Sequence, residues 1–291
     1  MGIPEYVDGD GESTGFLSPF AAEITEMKRI FPLFMSLFLG PRRLLKYSLL
    51  ALAALALSGG AFASWVFWDL PDTAALEDRA TTLTIEVPDW KGVMHPFRLG
   101  PKNPRWAPLS SFPDELKWAV IVAEDGNFYE HSGIDVPALK EALKYDLKRK
   151  RLVRGASTIT QQLAKNLYLS RDKSVLRKLR ELVIALRMER ELTKGRILEL
   201  YLNVVELGPL VYGFEHGSRY HFDKPVHLLT PAESAFLAAM LPGPRVAYNP
   251  ETRPVRVRQR AARLLNLLGL RGVLSESEIA DALVELESLG G

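Results

Sequence analysis

Residues 174–203 read SVLRKLRELVIALRMERELTKGRILELYLN, and the spacing of their apolar residues decides the fold. Leu176, Leu179, Val183 and Leu186 recur at intervals of three and four, and Ile197, Leu198, Tyr201 and Leu202 repeat the pattern after Lys194. That is the period of amphipathic helices with one apolar face, so helices are expected over Ser174–Leu192 and Lys194–Leu202. Working outward, Pro231–Leu241 and Arg256–Leu268 read as further helices, and Gly155–Gln162 opens one containing Leu163, Lys165 and Leu167. Ser111 with Asp114 three residues later forms a capping box for a helix running to about Ala123. The alternating run Thr82–Val87 (TLTIEV) is a strand signal, and it can pair with Phe97–Leu99. The fold class is mainly α, without internal repeats.

The chain has 291 residues, 37 basic and 35 acidic, with 47% hydrophobic and 25% charged residues. This excludes a wholly disordered or collagen-like chain. A net charge of +2 is too even for bulk nucleic-acid binding. The absence of cysteine excludes disulfides, thiolate zinc sites and cysteine nucleophiles, while five histidines leave other metal sites open.

Tyr47–Trp68 holds 22 residues without a charge, enough for a helix of roughly 33 Å, the thickness of a bilayer core. Arg42, Arg43 and Lys46 precede it and Asp69 and Asp72 follow. The positive-inside bias therefore places residues 1–46 in the cytoplasm and the C-terminal part outside, with Trp65 and Trp68 at the outer interface. Ala61-Phe62-Ala63 resembles a signal-peptide cleavage site, but the apolar stretch begins late and runs long for that. Ile30–Leu39, short and interrupted by Pro32, reads as interfacial, and residues 1–26 as a disordered tail.

Several segments could carry chemistry. Glu124-Asp125 ends an apolar helix just before Gly126, Asn127, Phe128, Tyr129 and His131. A carboxylate against apolar walls can accept a proton near neutral pH, whereas a helix end simply solvated is the ordinary explanation of such a pair taken alone. GASTITQQ (155–162) strings Ser157, Thr158, Thr160, Gln161 and Gln162 along a helix start, where N–H groups and hydroxyls can bind an anion or simply cap the helix through Ser157. Lys144–Arg154 carries six basic residues and one acid, suited to anionic lipid head groups, a pyrophosphate-bearing substrate or plain solvation. Arg177, Lys178 and Glu181 share one helical face, as ordinary salt bridging or as a cationic clamp for a phosphate leaving group. Lys194, Glu199 and Asn203 line a helix whose opposite face is apolar. Ser170–Lys173 matches Ser-x-x-Lys by chance, since no Lys-Thr-Gly follows. His216 and His221 are five apart and do not form a zinc motif.

Taken in order, EDGNFYEHSG (124–133), GASTITQQ (155–162), RKLRE (177–181), KGRILELYLN (194–203) and the weaker YGFEHGSRYHFDK (212–224) resemble the motifs of glycosyltransferase family 51, the peptidoglycan glycosyltransferases, over roughly residues 105–250. The last departs from the family pattern, with His216-Gly217 where alanines are common, a change expected to alter helix packing near the site. Because about 40 residues follow Pro250, the chain resembles the monofunctional, membrane-anchored members.

The resemblance implies a lysozyme-like, almost wholly helical glycosyltransferase domain behind one transmembrane helix, at the bacterial inner membrane. The layout expected is a cytoplasmic tail (1–46), the span (47–68), a stalk and entry segment (69–110), the glycosyltransferase domain (111–250) and a C-terminal helical extension (251–291). It implies polymerisation of lipid II: the N-acetylglucosamine C4 hydroxyl attacks N-acetylmuramic acid C1 with inversion, and undecaprenyl pyrophosphate leaves. Glu124 matches the general base and Glu181 the second essential carboxylate. Ser157, Thr158, Thr160, Gln161, Gln162, Lys165, Asn166, Arg177 and Lys178 match donor-site positions, supported by Lys194 and Asn203. A divalent cation, Mg2+ or Mn2+, would fit the pyrophosphate near Glu181. Expected partners are lipid II, the nascent glycan, membrane lipids and other wall-synthesis proteins, not nucleic acid. A lysozyme-like lytic hydrolase and a non-catalytic wall-assembly scaffold are the alternatives.

Overall fold

The computed structural model describes residues 27–32, 40–89, 91–149, 155, 157–170 and 174–289. It forms two compact units, 1–68 and 69–291. In the first, helix α1 (Pro41–Phe67) has Pro41 in its first turn, where a missing N–H costs nothing. Among the described residues it is the one helix long and apolar enough to cross a membrane. Its Leu49, Leu52, Leu55, Leu57 and Phe62 side chains are exposed, as a lipid-facing helix requires. The expected disordered tail, 1–26, lies outside the described residues; of the expected interfacial stretch, 33–39 do too, while 27–32 are helical and exposed.

The second unit opens with a hairpin. Strand β1 (Leu83–Pro88) pairs antiparallel with β2 (Met94–Leu99), Ile85 opposite Phe97 and Leu83 opposite Leu99. Ile85 and Val87 turn inward, while Thr84 and Glu86 face out. Helices α2 (Asp114–Glu124), α3 (Val136–Arg149), α4 (Ile159–Tyr168), α5 (Val175–Glu191) and α6 (Lys194–Val204) follow. A small hairpin, β3 (Glu206–Gly208) and β4 (Val211–Tyr212), leads to α7 (Phe214–Phe222), α8 (Pro231–Met240), α9 (Pro254–Leu270) and α10 (Glu276–Ser288). Ser174, Thr193 and Thr230 cap α5, α6 and α8, each accepting from the N–H three residues on.

Two expected helix starts are corrected. Ser111 does not open α2: Pro113 disfavours helical backbone at Phe112, which is extended, and the helix begins at Asp114 with Leu109–Ser111 in a separate 3-10 turn. The cap of α4 is Thr158, not Ser157; its side chain accepts from the Gln161 N–H.

Two helix groups make the core. In one, α8 is buried along almost its whole length against α2, α9 and α10; in the other, α4 packs on α5 and α6. Leu163, Ala164, Ile184, Ala185 and Met188 are fully buried in the second group, where a large apolar side chain contributes about 1.5–3 kcal/mol. Residues 69–110 are stitched to α6 by buried polar side chains. Arg196 donates to the Leu76 carbonyl (2.6 Å) and pairs with Glu199, which accepts from the Leu109 N–H (2.8 Å). Asn203 accepts from the Ala107 N–H (3.0 Å) and donates to the Ala107 carbonyl (2.8 Å).

Candidate active site

Glu124 ends α2 at the seam between the two helix groups. Its Oε2 accepts from Gln162 Nε2 on α4 at 2.9 Å, and Tyr201 on α6 donates its hydroxyl to Gln162 Oε1 at 3.1 Å. Tyr201 therefore fixes which end of the Gln162 amide faces the carboxylate. Burial, then the nearby Glu124 and Asp125 charges, pushes the Tyr201 phenol well above its ordinary range, so it remains a donor. Glu124 is nearly enclosed, and desolvation raises its pKa above the usual carboxylate value against the opposing effects of the Gln162 hydrogen bond, Arg260 and Lys165. It is a stronger base than a surface glutamate.

The adjoining loop is held to the start of α4 by its own polar groups. Gly133 donates its N–H to His131 Nδ1 at 3.1 Å, which leaves the proton on Nε2 to reach Asp125 Oδ1 at 2.9 Å. Asp125 Oδ2 accepts from the Ile159 N–H at 2.9 Å, satisfying a free donor at the α4 N-terminus. Thr158 Oγ1 (2.9 Å) and Gln161 Nε2 (3.0 Å) both donate to the Gly133 carbonyl. Gly133 has φ +87°, and a Cβ there would lie 3.2 Å from Glu189 Cγ, so glycine lets the loop lie against α5.

Glu181 is buried on α5 between two cations. Arg177 Nη1 reaches its Oε2 at 2.6 Å, and Lys178 Nζ pairs with its Oε1 while donating to Ser157 Oγ and Gln161 Oε1, each at 3.0 Å. Lys178 thereby ties α5 to the α4 N-terminus, with nearly half its side chain exposed. Gln162, Lys165, Asn166 and Arg177 line a groove of about 460 Å³ beside β1, β2 and the Leu241–Pro244 loop.

The structure thus joins Glu124, the 157–162 segment, Arg177, Lys178 and Glu181 through direct contacts. The expected donor-site residues divide into two sets. Thr158, Thr160 and Gln161 are buried, and their side chains bond within the protein, Thr160 to Glu189. Lys194 pairs with the same Glu189 at 2.8 Å and lies over the Phe128 ring, while Asn203 is bonded to Ala107; these two brace the site from within. Ser157, Gln162, Lys165, Asn166, Arg177 and Lys178 are the less enclosed set. Of the basic run 144–154, residues 150–154 lie outside the described residues, as do 171–173 of the Ser-x-x-Lys match.

Among the described residues, no three His, Asp or Glu side chains are placed to hold a metal ion. Glu181, the expected ligand, already has each oxygen paired with a cation. A divalent cation at the pyrophosphate would draw most of its oxygen ligands from the substrate and water, with Glu181 the nearest carboxylate among the cations.

Arg260 and the Tyr201 hydroxyl were not among the residues expected at the site. Tyr201 reads as a core residue by its helical spacing. Arg260 lies four residues after Arg256 on one face of α9, a row visible in the sequence without any sign of what it meets.

These features accompany a clear relationship. The chain belongs to the transglycosylase family, whose model, described as Transglycosylase, matches residues 92–268. It is a membrane-associated glycosyltransferase of that class. A biosynthetic peptidoglycan transglycosylase of Nitrosomonas eutropha is 40% identical over 228 residues, 76% of this chain and 88% of the relative. One of Aeromonas hydrophila is 40% identical over 203 residues, 68% of this chain and 86% of the relative. Penicillin-binding protein 1F of Bacillus subtilis is 40% identical over 174 residues, 60% of this chain and 24% of that longer protein. The family match extends past the motif region into α9.

Proposed function

We propose that this protein polymerises lipid II into linear glycan strands at the outer face of the cytoplasmic membrane, with Glu124 as general base. The observation that carries this is the desolvated Glu124 carboxylate, oriented by Gln162 and linked through α4 to the Arg177–Lys178–Glu181 cluster. Glu124 accepts the proton of the acceptor's N-acetylglucosamine C4 hydroxyl as that oxygen bonds to C1 of the donor's N-acetylmuramic acid. The bond from C1 to the pyrophosphate oxygen breaks on the opposite face, inverting the anomeric centre and releasing undecaprenyl pyrophosphate. Arg177, Lys178 and Lys165 offset the charge that develops on the leaving group, and Glu181 keeps the first two aimed. Gln162, Asn166 and Ser157 contribute hydrogen bonds to the donor.

Helix α1 fits a substrate that cannot leave the bilayer without exposing its lipid tail. Arg42, Arg43 and Lys46 in its first two turns, ahead of the uncharged stretch from Tyr47, support a cytoplasmic N-terminus and an exported second unit. A lytic hydrolase is the second reading, favoured by the two glutamates alone, but glycan hydrolysis gives no use to the Arg177–Lys178 pair.

Full-length protein in detergent, given labelled lipid II and separately given preformed glycan, tests the reaction. Size-resolved products are expected to lengthen from lipid II, with glycan left intact. Fragments from glycan and no polymer from lipid II would establish the hydrolase instead.

A further inference from the structure

Beyond the motif segments, one cation reaches Glu124 from the C-terminal helices. Arg260 on α9 places Nη2 3.5 Å from Glu124 Oε1 and donates from the same nitrogen to the Ala123 carbonyl at 3.2 Å. Its Cζ lies 5.3 Å from the Tyr248 ring centroid, and Arg256 lies over the same ring at 4.7 Å. Arg260 Nε is buried without a hydrogen-bond partner. The Ala123 carbonyl and the Tyr248 side chain hold this guanidinium at the end of α2, and Glu124 is the carboxylate it pairs with there.

We propose that Arg260 is a positioning residue for Glu124, fixing the carboxylate by an ion pair and coupling α9 to the site of proton transfer. This rests on Glu124 being the base. The groups facing the carboxylate are Arg260 from α9, Gln162 and Lys165 from α4, Tyr201 from α6 through Gln162, and Asp125 beside it in the chain. Arg260 and Lys165 favour its charged form; enclosure and Asp125 oppose it. Removing Arg260 therefore makes Glu124 harder to ionise. The acidic limb of the pH profile moves to higher pH, while the plateau at higher pH, where Glu124 is ionised again, largely survives.

The test is kcat/KM for lipid II polymerisation against pH in the full-length protein and its Arg260→Gln, Arg260→Lys and Glu124→Gln variants. Arg260→Gln is expected to lose roughly tenfold at the acid end, recover to within about threefold at the plateau and show its limb displaced upward. Arg260→Lys keeps the charge and is expected to leave the limb near its native place. A loss uniform across pH in Arg260→Gln, or an unmoved limb, would overturn the proposal by reducing Arg260 to packing. If Glu124→Gln keeps native activity, the assignment of the base itself falls, an outcome distinct from failure of Arg260 alone.

Discussion

As the proposed base, Glu124 carries two opposed demands: it must be ionised to take a proton, and burial penalises that form. With desolvation raising its pKa, the folded protein binds a proton there more tightly than the unfolded chain does. Stability is therefore lost as pH rises from the unfolded carboxylate range through the folded pKa, and the penalty is fully present above it. Glu124→Gln, which keeps the size and can still accept from Gln162, is expected to melt higher than the native protein at neutral pH. The gap should close as pH falls below the ordinary carboxylate range. Thermal melts at several pH values check this, and a lower melting temperature for the variant at neutral pH would contradict the desolvation of Glu124. The Glu124-Asp125 pair was readable at this scale because an apolar run ends in two carboxylates. Which partners each of them takes was not. Asp125 is taken by the Ile159 N–H and His131, both contacts made by folding.

At the scale of elements, helical periodicity was legible in α4, α5, α6, α8 and α9, and the β1–β2 hairpin followed from alternation. The start of α2 escaped because Pro113 overrides the Ser111–Asp114 spacing, a local steric effect that outweighs capping chemistry. The departure at His216-Gly217 has a physical cause in α7. A Cβ on Gly217 would come 2.4 Å from Leu207 Cδ1, a side chain fully buried from β3. A methyl group at 217 would require the buried Leu207 side chain to shift. Gly217→Ala is expected to cost about 1–3 kcal/mol by overpacking, and combining it with Leu207→Val should cost less than the sum of the two singles. Denaturant titrations of the three variants provide the comparison; additive costs would show that the two positions do not compete for space.

On the scale of the whole molecule, the buried hydrophobic core from Leu76 to Leu286 lies inside the second unit. A fragment spanning 69–291 is therefore expected to unfold cooperatively within a few degrees of the full-length protein in detergent, yet to polymerise membrane-held substrate more slowly for lack of α1. Calorimetry and a vesicle assay separate the two effects; failure of the fragment to fold would mean that residues 1–68 belong to the core. The division into one long apolar helix and a helical domain was legible in composition and periodicity. The meeting of α2, α4, α5 and α9 at one site was not, because the residues from Glu124 to Arg260 are joined by tertiary packing alone. The most direct measurement is the single-turnover rate of polymer formation from labelled lipid II in native and Glu124→Gln protein, with substrate binding measured in parallel. With Glu124 as the base, the rate is expected to fall by about 10²–10⁴-fold with binding nearly unchanged; a variant that elongates glycan at the native rate would rule Glu124 out as the base.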